Sequence, residues 1–131
     1  VKTVVGIEIV PDAIRDAEEN ATLNGVSNCH FICGDLKGQL ESAESKLEKF
    51  GTPDVVVFDP PRAGLHPAVI GRTLAFGAAK IVYVSCNPGT FARDAKMLCD
   101  GGYELRRVQP VDMFPHTPHI ELVSVFHKMP S

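Results

Sequence analysis

No apolar run in this chain of 131 residues comes near the roughly 18 residues that a membrane-spanning helix requires. Runs such as Val55-Val56-Val57-Phe58 are strand-sized, which excludes a helical membrane span. Basic residues are outnumbered, 13 Lys and Arg against 16 Asp and Glu, for a formal net charge of −3. That balance argues against a self-sufficient nucleic-acid-binding module, whose affinity rests on cations at phosphates. Cysteine is sparse: Cys29, Cys33, Cys86 and Cys99 do not form a disulfide scaffold, and free thiols in a reducing compartment are the simpler reading. Cys29 and Cys33 sit in a strand-like run whose spacing matches no compact zinc knuckle, so no structural metal is expected. The first residues, Val1-Lys2-Thr3-Val4-Val5, enter a β-like run without a basic leader or apolar signal core, as in a chain cut from something longer.

What remains, 44% hydrophobic and 22% charged residues, suits one compact domain over residues 1–131. Six β-like runs are legible: Thr3–Glu8, Cys29–Cys33, Asp54–Phe58, Lys80–Ser85, Tyr103–Val111 and Glu121–His127. Helical patterns separate the first five. Pro11 suits a first helical turn, with Ile14, Ala17 and Ala21 on one face and Asn24-Gly25 as the stop. Leu36, Leu40, Ala43, Leu47 and Phe50 recur at three- and four-residue steps, and Pro67–Phe76 and Thr90–Leu98 read as two more amphipathic helices. Phe91, Ala95 and Leu98 face inward in the last. Such alternation predicts an α/β sheet of parallel strands with helices on both faces. Val55–Phe58 and Ile81–Val84 lack polar alternation and read as buried central strands. The segment from Asp112 to His119 is too short and proline-rich for a helix, so the last two strands should form an antiparallel hairpin.

In open α/β sheets, ligands bind beyond the carboxyl ends of the strands. The first strand closes on Glu8, which is either a solvated strand end or an acid for ribose hydroxyls; Gly34-Asp35 follows the second. The third runs into Asp59-Pro60-Pro61-Arg62-Ala63-Gly64, where paired prolines stiffen the backbone after a strand. The fourth runs into Ser85-Cys86-Asn87-Pro88-Gly89-Thr90. Cys86 is either a small buried hydrophobe, as Cys29, Cys33 and Cys99 are expected to be, or a thiol activated by the helix that follows. Glu121 heads a row shared with Val123 and Val125, opposite Leu122, Ser124 and Phe126. It is either an exposed rim residue or a partly desolvated base.

Together, Asp59-Pro60-Pro61-Arg62-Ala63-Gly64-Leu65, Tyr83-Val84-Ser85-Cys86-Asn87-Pro88 and the segment from Asp112 through His116-Thr117-Pro118-His119-Ile120 to Glu121 resemble the three C-terminal signatures of the S-adenosylmethionine-dependent RNA uracil-5-methyltransferases. Val5-Gly6-Ile7-Glu8 and Gly34-Asp35 resemble that family's cofactor-binding segments. The resemblance implies a Rossmann-like class I methyltransferase fold, mostly parallel with a C-terminal antiparallel hairpin. It implies Cys86 as the nucleophile at carbon 6 of uracil, Glu121 as the base that removes the carbon 5 proton, and Asp59 between cofactor and base. Glu8 would hold the ribose of S-adenosyl-L-methionine and Asp35 would lie near its adenine. Arg62 would support the loop or the RNA, and His116 and Thr117 the turn that presents Glu121. The implied partner is RNA, tRNA favoured over ribosomal RNA, in an intracellular and by default cytoplasmic setting.

The resemblance also implies a first strand–helix unit, glycine-rich and central in the sheet, for which no Gly-x-Gly precedes Glu8. The chain by itself is therefore expected to be inactive. Amino-methylating enzymes on the same scaffold usually place an aromatic residue where Arg62 stands and need no cysteine. RNA cytosine-5 methyltransferases lack the Glu121 signature. A non-catalytic RNA-binding module would need neither Cys86 nor Glu121.

Overall fold

The computed structural model describes residues 1–34, 47 and 49–130. The chain divides into two compact units, Val1–Gly51 and Thr52–Ser131. In the first, β1 (Val4–Glu8), α1 (Pro11–Leu23) and β2 (Cys29–Cys33) form a parallel crossover, in register from Val4 beside Cys29 to Glu8 beside Cys33. Pro11 opens α1, where a missing N–H costs nothing. Ile14, Ala17 and Ala21 are its half-buried residues and the rest are exposed, as their spacing predicts. The helix closes on Gly25 at φ +64°: its amide donates to Thr22 O (3.1 Å) and the Val26 amide to Ala21 O (2.8 Å). That is the double bond of a glycine-closed helix end. Within β1, Gly6 lies under the Phe31 ring, and a Cβ would stand 3.0 Å from it. The expected helix from Leu36 to Phe50 falls largely outside the described residues.

The second unit is a four-stranded sheet built from β3 (Val55–Phe58), α2 (Pro67–Phe76), β4 (Lys80–Ser85), α3 (Pro88–Asp100), β5 (Tyr103–Val111) and β6 (Glu121–Lys128), in the order β3-β4-β6-β5. β3 and β4 are parallel, while β6 runs antiparallel to both β4 and β5. The hairpin expected from the sequence is present, and β6 inserts between β4 and β5. Alternation in β6 is strict: Leu122, Ser124 and Phe126 are buried, and Glu121, Val123 and Val125 are half-buried.

The core forms where α3 meets the sheet. Phe91 stands edge-on to Tyr83 (5.5 Å, 75°) and 6.3 Å from Phe126. Ile81, Tyr83, Leu98 and Phe126 are fully enclosed, each such burial stabilising by roughly 1.5–3 kcal/mol. The polar atoms inside are matched: Tyr103 Oη donates to Ala78 O (2.7 Å) and Ser124 Oγ to Tyr83 O (3.1 Å). Two expectations need correction. Val55 and Val57, read as part of a buried central strand, are 46% and 66% exposed, because β3 is the edge of this sheet. Cys33, read as a small buried hydrophobe, is exposed, because it ends β2 where the chain leaves the ladder.

Candidate active site

Glu8 ends β1 with an exposed side chain whose Oε1 accepts from the amides of Ile9 (2.6 Å) and Val10 (2.9 Å). Its backbone carbonyl accepts from the Gly34 amide (3.0 Å), tying the ends of β1 and β2 together. The carboxylate is thus oriented by its own turn. Asp35 lies outside the described residues.

The second unit brings the other predicted residues to one end of its sheet. Phe58 pairs with Tyr83, so Asp59 leaves β3 level with Val84, one step beyond the ladder. In the β4–β6 ladder the last pair is Ser85 with Leu122, and the next step of that register sets Cys86 level with Glu121. Because β4 lies between β3 and β6, Cys86 follows the strand flanked by those that carry Asp59 and Glu121. Asp59 and Arg62 are exposed, whereas Cys86 and Glu121 are half-buried.

Local sequence explains the placing of each group. Cys86 precedes the N-cap of α3. Asn87 Oδ1 accepts from the Gly89 amide (3.0 Å) and Pro88 occupies the first helical position, so the thiol sits at the positive end of the helix dipole. The α3 observed, Pro88–Asp100, exceeds the Thr90–Leu98 span that its apolar spacing predicts, because this cap recruits the residues before Thr90. Glu121 is delivered by a turn in which His116 adopts a left-handed φ of 70°. Thr117 closes that turn, its hydroxyl donating to Phe114 O (2.8 Å) and accepting from the His119 amide (3.3 Å).

A second set of residues was not foreseen. Asp94 on α3 is fully buried, with Oδ2 accepting from Tyr83 Oη and from the Leu65 amide, both at 2.7 Å. Oδ1 accepts from Arg93 Nε at 2.8 Å. Burial, and then the neighbouring carboxylate, push the Tyr83 phenol well above its ordinary pKa. The signal was present in the sequence: position 94 falls on the apolar stripe of Phe91, Ala95 and Leu98, where a carboxylate must have partners. Among the described residues no group of three or more His, Cys, Asp or Glu is placed to hold a metal, and no helix is long and apolar enough to cross a membrane.

Residues 1–129 match the model of a protein family described as tRNA (uracil-5-)-methyltransferase. An uncharacterized RNA methyltransferase of Porphyromonas gingivalis is 52% identical over 121 residues, covering 92% of this chain and 26% of that protein. One of Caldanaerobacter subterraneus subsp. tengcongensis is 46% identical over 127 residues, covering 97% and 27%. The chain thus spans about a quarter of the length of these relatives. Among solved structures, the tRNA (uracil-54, C5)-methyltransferase of Pyrococcus abyssi, in complex with S-adenosyl-L-homocysteine, superimposes with a TM-score of 0.78 at 39% identity. It covers 95% of this chain and 28% of that one. Fibrillarin of Aeropyrum pernix with natively bound S-adenosyl-L-methionine, at 20% identity, TM-score 0.66 and coverage of 93% and 55%, shares the fold. The architecture is that of the class I methyltransferases.

Proposed function

This chain belongs to the tRNA (uracil-5-)-methyltransferase family, and on that premise we propose that the complete protein transfers a methyl group from S-adenosyl-L-methionine to carbon 5 of a uridine in tRNA. The observation that carries the reading is the β4–β6 register, which sets a half-buried thiol level with a half-buried carboxylate at the same end of neighbouring strands.

Carbon 5 of uracil is too weak a nucleophile to take a methyl group unaided. Thiolate addition from Cys86 to carbon 6 turns the ring into an enolate, which makes carbon 5 nucleophilic and divides one hard step into two. A free thiol, with a pKa of about 8.5, is only slightly ionised at neutral pH, and Cys86 stands immediately before the N-cap of α3. S-adenosyl-L-methionine supplies, when bound, an electrophilic methyl group on sulfonium. The fit of this chain to that cofactor rests on Glu8: two amides hold one carboxylate oxygen, and the second oxygen of this exposed residue would accept from ribose hydroxyls. Asp35 is assigned to the adenine. After methylation Glu121 takes the carbon 5 proton, the electron pair restores the double bond between carbons 5 and 6, and the Cys86 thiolate leaves. Asp59 stands between the cofactor and the base, and Arg62 supports its loop or the RNA. The target base must leave the RNA stack to reach the site.

RNA carrying 5-fluorouridine tests this, because fluorine at carbon 5 prevents the final proton removal. The complete protein should form a denaturation-resistant adduct, Cys86→Ala should form none, and Glu121→Gln should accumulate the adduct on ordinary RNA. Absence of an adduct with the unmutated protein overturns the reading. The 131-residue chain alone should bind the cofactor weakly and transfer no methyl group, since it spans about a quarter of its relatives. Low-micromolar binding in calorimetry overturns that expectation.

A further inference from the structure

The loop that leaves Asp59 is gripped by α3 along one stripe of its surface. Asn87 Nδ2 and Thr90 Oγ1 each donate to Arg62 O at 3.1 Å. A turn further on, Arg93 Nη2 donates to Ala63 O (3.0 Å) and Leu65 O (3.1 Å), while Asp94 Oδ2 takes the Leu65 amide. Steps of three and four residues align these side chains on one face. Gly64 crosses the stripe at a left-handed φ of 76°, and a Cβ there would stand 2.6 Å from Asp94 Oδ2. Backbone groups on either side of that glycine are therefore held by a helix that starts two residues after Cys86.

Packing alone does not call for this arrangement. Asp94 occupies a fully buried position beside Phe91, Ala95 and Leu98, where an aliphatic side chain would satisfy the packing but leave the Tyr83 hydroxyl and the Leu65 amide without their acceptor. What an aliphatic residue cannot do is accept from Leu65 and Tyr83 while orienting Arg93 toward two loop carbonyls. We propose that Asp94 and Arg93 are positioning residues, which lock the turn at residues 62–65 onto α3 and so hold the loop bearing Asp59 and Arg62 in fixed register with the Cys86 turn.

The proposal rests on the methyl-transfer reading, in which a thiolate, a target base and the Asp59 loop must meet within a fraction of an ångström. Misplacement by about 1 Å costs on the order of a hundredfold in rate. Asp59 and Arg62 are exposed on a loop leaving an edge strand, and among the described contacts the grip of α3 is what fixes that loop from outside.

The complete protein carrying Asp94→Leu or Arg93→Gln tests this. Arg93→Gln removes the bonds to Ala63 and Leu65 but leaves Asp94 its bonds to Tyr83 and Leu65, so it keeps the test open if Asp94→Leu does not fold. Well below the melting temperature, either variant should lower kcat and the rate of adduct formation with 5-fluorouridine RNA by about tenfold or more. The KM for S-adenosyl-L-methionine should stay within about twofold, and Arg93→Lys should restore part of the rate. A merely structural role would lower the melting temperature and leave these rates alone. A folded variant with unchanged kcat and adduct rate, beside an unmutated protein that forms the adduct, overturns the positioning role by itself. An unmutated protein that forms no adduct overturns the methyl-transfer reading instead.

Discussion

Among its described residues the first unit buries one apolar side chain, Ile32, whereas the second encloses Ile70, Ile81, Tyr83, Leu98, Tyr103 and Phe126 at 2% exposure or less. The candidate groups of the two units are held in correspondingly different ways. Glu8 is oriented by the amides of its two successors, a device that needs nothing beyond the turn in which it sits. Cys86, Glu121 and the Asp59 loop are set by strand register, by the aromatic contacts under β4 and by bonds between residues some 30 positions apart. In the proposed reaction a carboxylate that accepts from ribose hydroxyls would tolerate local definition, whereas a nucleophile and a base that meet one ring would require a rigid frame.

The most severe way to break this contrast is to remove core volume from each unit in turn. Phe126→Ala should cost the second unit about 3–5 kcal/mol, since the ring lies against Phe91 and the surrounding residues cannot collapse into the space. Ile32→Ala should cost about 2 kcal/mol, with its effect confined to the first unit. Hydrogen exchange read residue by residue, with urea titration, separates the two outcomes. Equal losses, or losses spread over both units, would show that the first unit carries more of a core than its burial indicates.

A smaller effect comes from pH. The Tyr83 phenol is shifted up in the folded chain, first by burial and then by its bond to Asp94. A group whose folded pKa lies above its unfolded value contributes stability that is fully present below the unfolded pKa, near 10, and is lost as pH rises further. Stability of the second unit should therefore fall above pH 10 by at most about 1.4 kcal/mol per pH unit for this tyrosine. Tyr103, shifted the same way by burial, adds to the fall. Urea midpoints between pH 8 and 11 check this, and Tyr83→Phe should show the shallower slope. An identical slope in that variant removes Tyr83 as the cause.

Much of this frame was legible where chemistry is local. The span Pro67–Phe76 read from the sequence is that of α2, and the alternation from Glu121 to Phe126 appears in the structure residue for residue. Less was legible where an arrangement depends on residues far apart. The four apolar residues Val55 to Phe58 look alike whether a strand is central or at an edge, and only the strand order decides that Val57 is exposed. The short link from Asp112 to Ile120 implies that β5 and β6 pair, but not that β6 enters between β4 and β5. Cys86 and Glu121 could be named from their motifs, but their common level at the sheet end comes from that insertion. The apolar stripe signals that Asp94 needs partners, but not that these are Tyr83 and Leu65, which lie 11 and 29 positions away.

The mildest test sharpens the contrast at the helix starts. In the second unit both helices have side-chain caps: His66 Nδ1 accepts from the Ala68 amide (3.2 Å) and Asn87 Oδ1 from that of Gly89. In the first, Val10 occupies the cap of α1 in extended conformation, and its side chain offers the free amides nothing. Val10→Ser places an acceptor there, keeps the Val10 amide that Glu8 holds, and should stabilise the first unit by about 0.5–1 kcal/mol. Asn87→Ala should cost the second unit about 1 kcal/mol for the cap, and somewhat more because Asn87 Nδ2 also holds Arg62 O. Cofactor binding by the complete protein should be unchanged in Val10→Ser if Glu8 is positioned by its own turn alone. A weakened affinity in a more stable variant would show instead that the start of α1 sets the carboxylate, so that the first unit too relies on structure beyond its local turn.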